Sequence, residues 1–199
     1  MRKLISVCVL TLCLFLTGCS EKVPDETTIT VNKKGEITYT VVEDFQKDFY
    51  DLEGLQKDIE DEIATYNQKF GSDPLALKLL EEQKGTVVMQ LTFTEARFFE
   101  DYYYNTSSTG ATLFVGTLEE AREAEYDLEG EFLGADGSLT DIGSLSKPES
   151  LKVLITGEVL KVQVPGEIQC VSPSGSVQIV GKKEAAISEE AGQACIIYK

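Results

Sequence analysis

Apolar and polar residues alternate along this chain in two rhythms, and each rhythm predicts its own kind of element. From Glu36 to Val42 the apolar Ile37, Tyr39 and Val41 alternate with Glu36, Thr38 and Thr40. A period of two is that of a half-buried strand. Thr28 to Val31 reads as its partner across the turn Asn32-Lys33-Lys34-Gly35. The rhythm then changes. Leu52, Leu55, Ile59, Ile63, Tyr66 and Phe70 recur every three or four positions, which predicts a helix with one apolar stripe. Asp51 is placed to cap its start and Gly71 to end it.

Leu75 to Leu80 and Thr86 to Phe93 read as paired strands about Glu82-Gln83-Lys84-Gly85. Thr94 is placed to open a short helix carrying Phe98, Phe99, Tyr102 and Tyr103, and Thr112 to Gly116 reads as a brief strand. Thr117-Leu118-Glu119-Glu120 has the pattern of a capping box, starting a third helix toward Tyr126. Strands follow at Leu128 to Leu133, Leu151 to Thr156, Val159 to Val164, Glu167 to Val171, Val177 to Val180 and Ala194 to Tyr198. Strands dominate and about three short-to-medium helices fall in the first two thirds. The expected class is α+β with a mostly antiparallel sheet.

Ahead of all this lies a different pattern. Arg2 and Lys3 precede an apolar run from Leu4 to Phe15, too short for a membrane span, which needs roughly 20 apolar residues. The run closes on Leu16-Thr17-Gly18-Cys19, which resembles the lipobox of bacterial lipoproteins. The resemblance implies cleavage before Cys19 and a lipid on its thiol. Residues 1–18 are then the signal, 19–26 the lipidated cysteine and a short polar tether, and 27–199 a single domain. The expected location is the extracytoplasmic face of the cell membrane. At about 3.3 Å per residue the tether reaches roughly 25 Å, so the domain stands close to the bilayer. Further likeness lies in Thr28-Ile29-Thr30-Val31-Asn32-Lys33-Lys34-Gly35, in Val41-Val42-Glu43-Asp44-Phe45, in Val164-Pro165-Gly166-Glu167-Ile168 and in the ending Ile196-Ile197-Tyr198-Lys199. With the lipobox and tether, these resemble uncharacterised lipoproteins of anaerobic Gram-positive bacteria. No assigned activity, and hence no functional residue, comes with that resemblance.

Charge narrows the partners. The chain has 18 basic and 34 acidic side chains and a net charge of −16. Loss of Arg2 and Lys3 with the signal takes it to −18. Such a domain is repelled by nucleic acid and by anionic headgroups, so the anchor must be hydrophobic. Membrane lipid through Cys19 acylation is the expected attachment.

Candidate chemistry is sparse. There is no histidine, which removes Ser-His-Asp and Cys-His mechanisms. Cys170 and Cys195 alone remain after Cys19, and either a disulfide or two buried thiols fits their apolar surroundings. No metal site or cofactor is implied, because two cysteines without histidine do not complete a tetrahedral site. Ser144-Leu145-Ser146-Lys147 spells S-x-x-K, yet Gly143 and Pro148 flank it and neither S-D-N nor K-T-G occurs. Ala135-Asp136-Gly137-Ser138 reads as a tight turn rather than a calcium loop. The leading recognition feature is Tyr102-Tyr103-Tyr104. Successive helical residues lie about 100° apart, so all three cannot face one core, and a tyrosine left outside joins apolar area to a hydroxyl. The expected role is a non-enzymatic envelope binding module for a protein, peptide or glycan. The alternatives are an extracytoplasmic hydrolase working through paired carboxylates and a structural or adhesin-like component.

Overall fold

The computed structural model describes residues 23–47, 51–106, 111–173, 175–188 and 192–199. Cys19, its lipobox and the start of the tether lie outside these residues. Strands β1 (Thr28–Val31) and β2 (Ile37–Asp44) form the first hairpin, with Thr30 opposite Thr38 and Val31 opposite Ile37. Gly35 has φ +85° in the turn between them, a backbone that residues with a Cβ rarely adopt. Helix α1 (Leu52–Gln68) starts at Asp51, whose carboxylate accepts a 3.2 Å bond from the Glu53 amide. Strands β3 (Leu75–Gln83) and β4 (Thr86–Phe93) make the next hairpin, and α2 (Ala96–Thr106) follows.

Strand β5 (Leu113–Thr117) runs directly into α3 (Leu118–Glu123). Both arms of the expected capping box are present. Thr117 Oγ1 accepts from the Glu120 amide at 3.1 Å, and a Glu120 carboxylate oxygen accepts from the Thr117 amide at 2.7 Å. Then come β6 (Glu131–Gly134), β7 (Leu139–Asp141), β8 (Lys152–Thr156) and β9 (Lys161–Gln163). The last four are β10 (Ile168–Val171), β11 (Val177–Gly181), β12 (Glu184–Ile187) and β13 (Ala194–Tyr198).

These strands build two sheets. One has seven strands in the order β11-β12-β9-β1-β2-β4-β3; the other has six, in the order β5-β8-β13-β10-β6-β7. Every pairing is antiparallel except β1 with β9. The class is α+β and mostly sheet, as the hydrophobic rhythm predicts.

The six-stranded sheet is buried on both faces. Ala194, Ile196 and Tyr198 of β13 face one core, shared with Ile29, Ile37, Leu91, Phe93 and Val162 of the other sheet. Cys195 and Ile197 face a second core, covered by Leu118 and Ala121 of α3 and by Leu128 and Leu151. This explains why Ala194 to Tyr198 reads as an unbroken apolar run, since neither face of β13 meets water. Helix α1 packs on β3, while α2 touches both β4 and β5 and so ties the sheets together.

Two expectations shift, and one open choice closes. The strand expected over Leu128 to Leu133 begins only at Glu131, because Gly130 has φ +90° and ends any extended run there. Strands β7 and β12 have no counterpart in the sequence reading. They are three and four residues long, too short to show a period. Finally, Cys170 and Cys195 are free and buried. Cys170 lies opposite Ile197 across the β10–β13 ladder, two residues along from Cys195. The thiols are therefore diagonal neighbours, and such pairs lie about 7–8 Å apart, beyond the usual disulfide span.

Candidate functional site: a polar trough on the seven-stranded sheet

The tyrosine cluster divides by depth. Tyr102 is buried (7% exposed), packed edge-on against Tyr66 at 5.4 Å and beside Phe93, with carboxylate Glu62 near its hydroxyl. Tyr103 is half-buried between Tyr39 and Phe99. Tyr104 is 77% exposed. The 100° step between residues drives this division: α2 turns its first two tyrosines into the aromatic core and its third away. Tyr102 and Tyr103 thus pack against the aromatic core, and Tyr104 is the one of the three left outward, as the helical spacing requires.

Among the described residues no Asp or Glu side chain is buried, and no three Asp, Glu or Cys converge as metal ligands. Asp136 closes its own turn, accepting bonds from the Ser138 amide (3.0 Å) and hydroxyl (2.6 Å), which hold its carboxyl below the usual range.

What does converge is the outward face of the seven-stranded sheet. Alternation sends Ile29, Val31 and Ile37 inward, so Thr28, Thr30, Thr38 and Thr40 point the other way. Register then aligns side chains from six strands into one row: Glu184, Gln163, Thr30, Thr38, Thr92 and Ala76. Hydrogen bonds stitch part of it. Thr30 Oγ1 donates to Gln163 Oε1 at 3.2 Å across a sequence separation of 133, and Gln163 Nε2 donates to Glu184 Oε1 at 2.9 Å. The next row inward is buried at Thr28, Thr40 and Gln90, with Gln90 Nε2 donating to Thr40 Oγ1 at 3.1 Å.

The exposed row forms the floor of two adjoining depressions, of about 620 and 370 Å³, which share Asn32, Glu36, Thr38 and Lys78. The β1–β2 turn makes one wall. Asn32 Oδ1 shapes that turn, accepting from the amides of Lys34 (2.8 Å) and Glu36 (3.1 Å). Lys33, Lys34, Lys78 and Lys183 line the larger depression. Across the turn a third hollow of about 500 Å³ is lined by Lys33 and Lys34 again, with Lys152 and Lys199. Gly166 lets the Lys199 backbone approach there, since a Cβ on it would lie 1.4 Å from the Lys199 oxygen.

Six lysines thus surround one turn of a chain whose net charge is −16. Lys183 Nζ donates to the Pro165 carbonyl at 2.9 Å. Among the described residues Lys33, Lys34 and Lys78 form no salt bridge. Glu36 accepts from Asn32 Nδ2 and Glu184 from Gln163 Nε2, and both keep their charge, so the larger depression holds four lysines against two carboxylates; with Asp73 and Glu120 of the neighbouring hollows the balance is six to four. The surplus is positive, and a concave site of one sign concentrates ions of the other.

The sequence reading placed Thr38 and Thr40 on a polar face but missed the trough. Apart from the neighbours Lys33 and Lys34 its lysines are far apart in sequence, and only the β1–β9 crossover brings Gln163 and Lys183 beside the first hairpin. No family model matches this chain, and no curated protein or solved structure shows a significant match to it.

Proposed function

We propose that this chain is a lipid-anchored extracytoplasmic binding protein whose trough recognises an anionic envelope glycan. The carrying observation is the joining of Lys33, Lys34 and Lys78, which form no salt bridge among the described residues, to a floor of Thr30, Thr38, Thr92 and Gln163. Ammonium groups supply charge attraction, and hydroxyl and amide groups match the hydroxyls of a sugar in both donor and acceptor sense. An apolar or aromatic floor would favour a peptide side chain instead. The anchor in this reading is Cys19, at the end of Leu16-Thr17-Gly18-Cys19. Two acyl chains suffice for stable attachment.

Two experiments test the two halves. For the anchor, Cys19→Ala is expected to abolish incorporation of radioactive fatty acid and to leave an unprocessed precursor; undiminished label rejects it. For the trough, the full chain in detergent is applied to an array of neutral, uronic-acid and phosphorylated glycans. Retention of acidic glycans is expected, weakening as salt rises from about 0.05 to about 0.5 M. The Lys33→Ala/Lys34→Ala/Lys78→Ala variant should lose about tenfold or more in affinity. Equal affinity in that variant, or a preference for neutral glycans, sinks the assignment.

A further inference from the structure

A second groove adjoins the smaller depression, sharing Asp73, Ala76 and Lys78 with it, where β3 forms the edge of the seven-stranded sheet. Among the described residues β3 pairs only with β4, so its outer backbone edge has no strand beside it. Helix α1 runs alongside. Gln56, Glu60, Ile63, Ala64 and Asn67 face Leu75 to Leu80 across a space of about 630 Å³. From Gln56 to Asn67 the helix rises about 16 Å, the length of roughly five residues of extended chain. The walls are apolar at Ile63, Leu75 and Leu77 and narrow in side chain at Ala64.

Asn67 shows which way the edge faces. Its Nδ2 donates to the Leu75 carbonyl at 2.8 Å, and its Oδ1 accepts from the Leu75 amide at 3.2 Å. These are the two bonds that a residue of a neighbouring strand would make. The peptide groups of Leu75 therefore point away from β4, and those of Leu77, two residues on, point the same way. A side-chain amide occupies the first pairing position of an edge and leaves the next one open to the groove.

We propose that this groove takes an extended, basic segment of a partner protein, which adds to β3 as an eighth strand. Backbone bonds to an exposed edge would supply affinity and the α1 wall would supply selectivity. Charge sets the sign of the guest. Glu60 and Asp73 line the groove against Lys78, and the solvent side of α1 adds Glu53 and Asp58, with Asp61 paired to Lys57 at 2.9 Å. The edge also carries two devices that restrain indiscriminate pairing, the Lys78 side chain and a bulge between Leu77 and Leu79. They keep the ladder short, which suits a peptide guest rather than continuous sheet growth.

The test uses the full chain in detergent and a fluorescent acetylated peptide, Lys-Val-Lys-Val-Lys-Val. Saturable binding is expected, with slowed amide exchange at Leu77 and not along the opposite edge, β11. Methylating the peptide nitrogens on alternate residues removes strand bonds while keeping charge, and is expected to weaken binding about tenfold or more. The Glu-Val analogue should be weaker by a similar factor. Ala64→Trp, which fills the groove, and Leu77→Pro, which removes the outward donor, are each expected to lose about tenfold. Should either variant fail to fold, the methylated peptide still decides on the unaltered protein. No binding, equal binding of the methylated peptide, or protection at another edge overturns the proposal.

Discussion

Phe99→Ala is expected to lower the unfolding free energy by about 3–5 kcal/mol, the usual cost of deleting a buried phenyl ring. Phe99 is 1% exposed and sits where α2 meets the seven-stranded sheet. Its ring is edge-on to Tyr39 at 5.3 Å and to Phe93 at 5.5 Å, and tilted against Tyr103 at 4.7 Å. Truncation opens a cavity and unseats three rings at once. Because α2 also touches β5, the damage reaches the joint between the two sheets. Domain stabilities are about 5–15 kcal/mol, so a loss of this size takes a large part of the total. Tyr104→Ala, five residues on and exposed, should change stability by no more than about 0.5 kcal/mol. Urea midpoints of the two variants settle the matter, and a costlier Tyr104 variant would contradict this packing.

Alkali should unfold the protein well before it affects an ordinary acidic domain. Burial pushes the Cys170 thiol from 9.0 up to about 12. Burial, and then the charge of Cys170, does the same for Cys195. Tyr198 is raised from 10.0 to about 12 by burial. Burial also raises the hydroxyls of Tyr66, Tyr102 and Tyr103, with nearby carboxylates adding to the effect. The sign follows from which state releases protons first. In the unfolded chain these groups ionise near pH 9 to 10, whereas in the native protein they stay neutral. Their stabilising contribution is complete below pH 9 and is lost as pH climbs toward 12. The urea midpoint should hold steady from pH 7 to 9 and then fall steeply. Over the same lower range both thiols should resist a disulfide reagent until the chain is unfolded. Rapid modification of the native protein at pH 8 would refute the burial argument.

Legibility followed burial geometry. Strand β2 and helix α1 each bury one side, so each kept its own rhythm and was read within two residues of its bounds. The capping box of Thr117 and Glu120 is local and was equally plain. Strands β7 and β12 hold their places through partners distant in sequence, and nothing in Leu139 to Asp141 or Glu184 to Ile187 announces them. The same limit hid the trough. Thr30 and Gln163 meet only because β9 returns parallel to β1, and that pairing leaves no mark in either segment. The tyrosines show the converse: helical spacing alone required that they divide, and Tyr102 and Tyr104 do so.

The position of β1 also bears on how the protein withstands tension. It is the first strand among the described residues, yet it lies in the middle of the seven-stranded sheet, between β2 and β9. The backbone just ahead of it is clasped as well, where the Lys161 amide donates to the Thr27 carbonyl at 3.2 Å and Lys161 Nζ meets Glu26 at 2.9 Å. Under the proposed anchoring at Cys19, a pull from the bilayer would enter at the start of β1 and run along the strand axis. Both hydrogen-bonded ladders then carry the load together in shear, instead of opening one bond at a time as a peeled edge strand does. Resistance to such a load is set by the rate of unfolding rather than by equilibrium stability. Under that anchoring, a central first strand would meet tension as a clamp rather than as a flap.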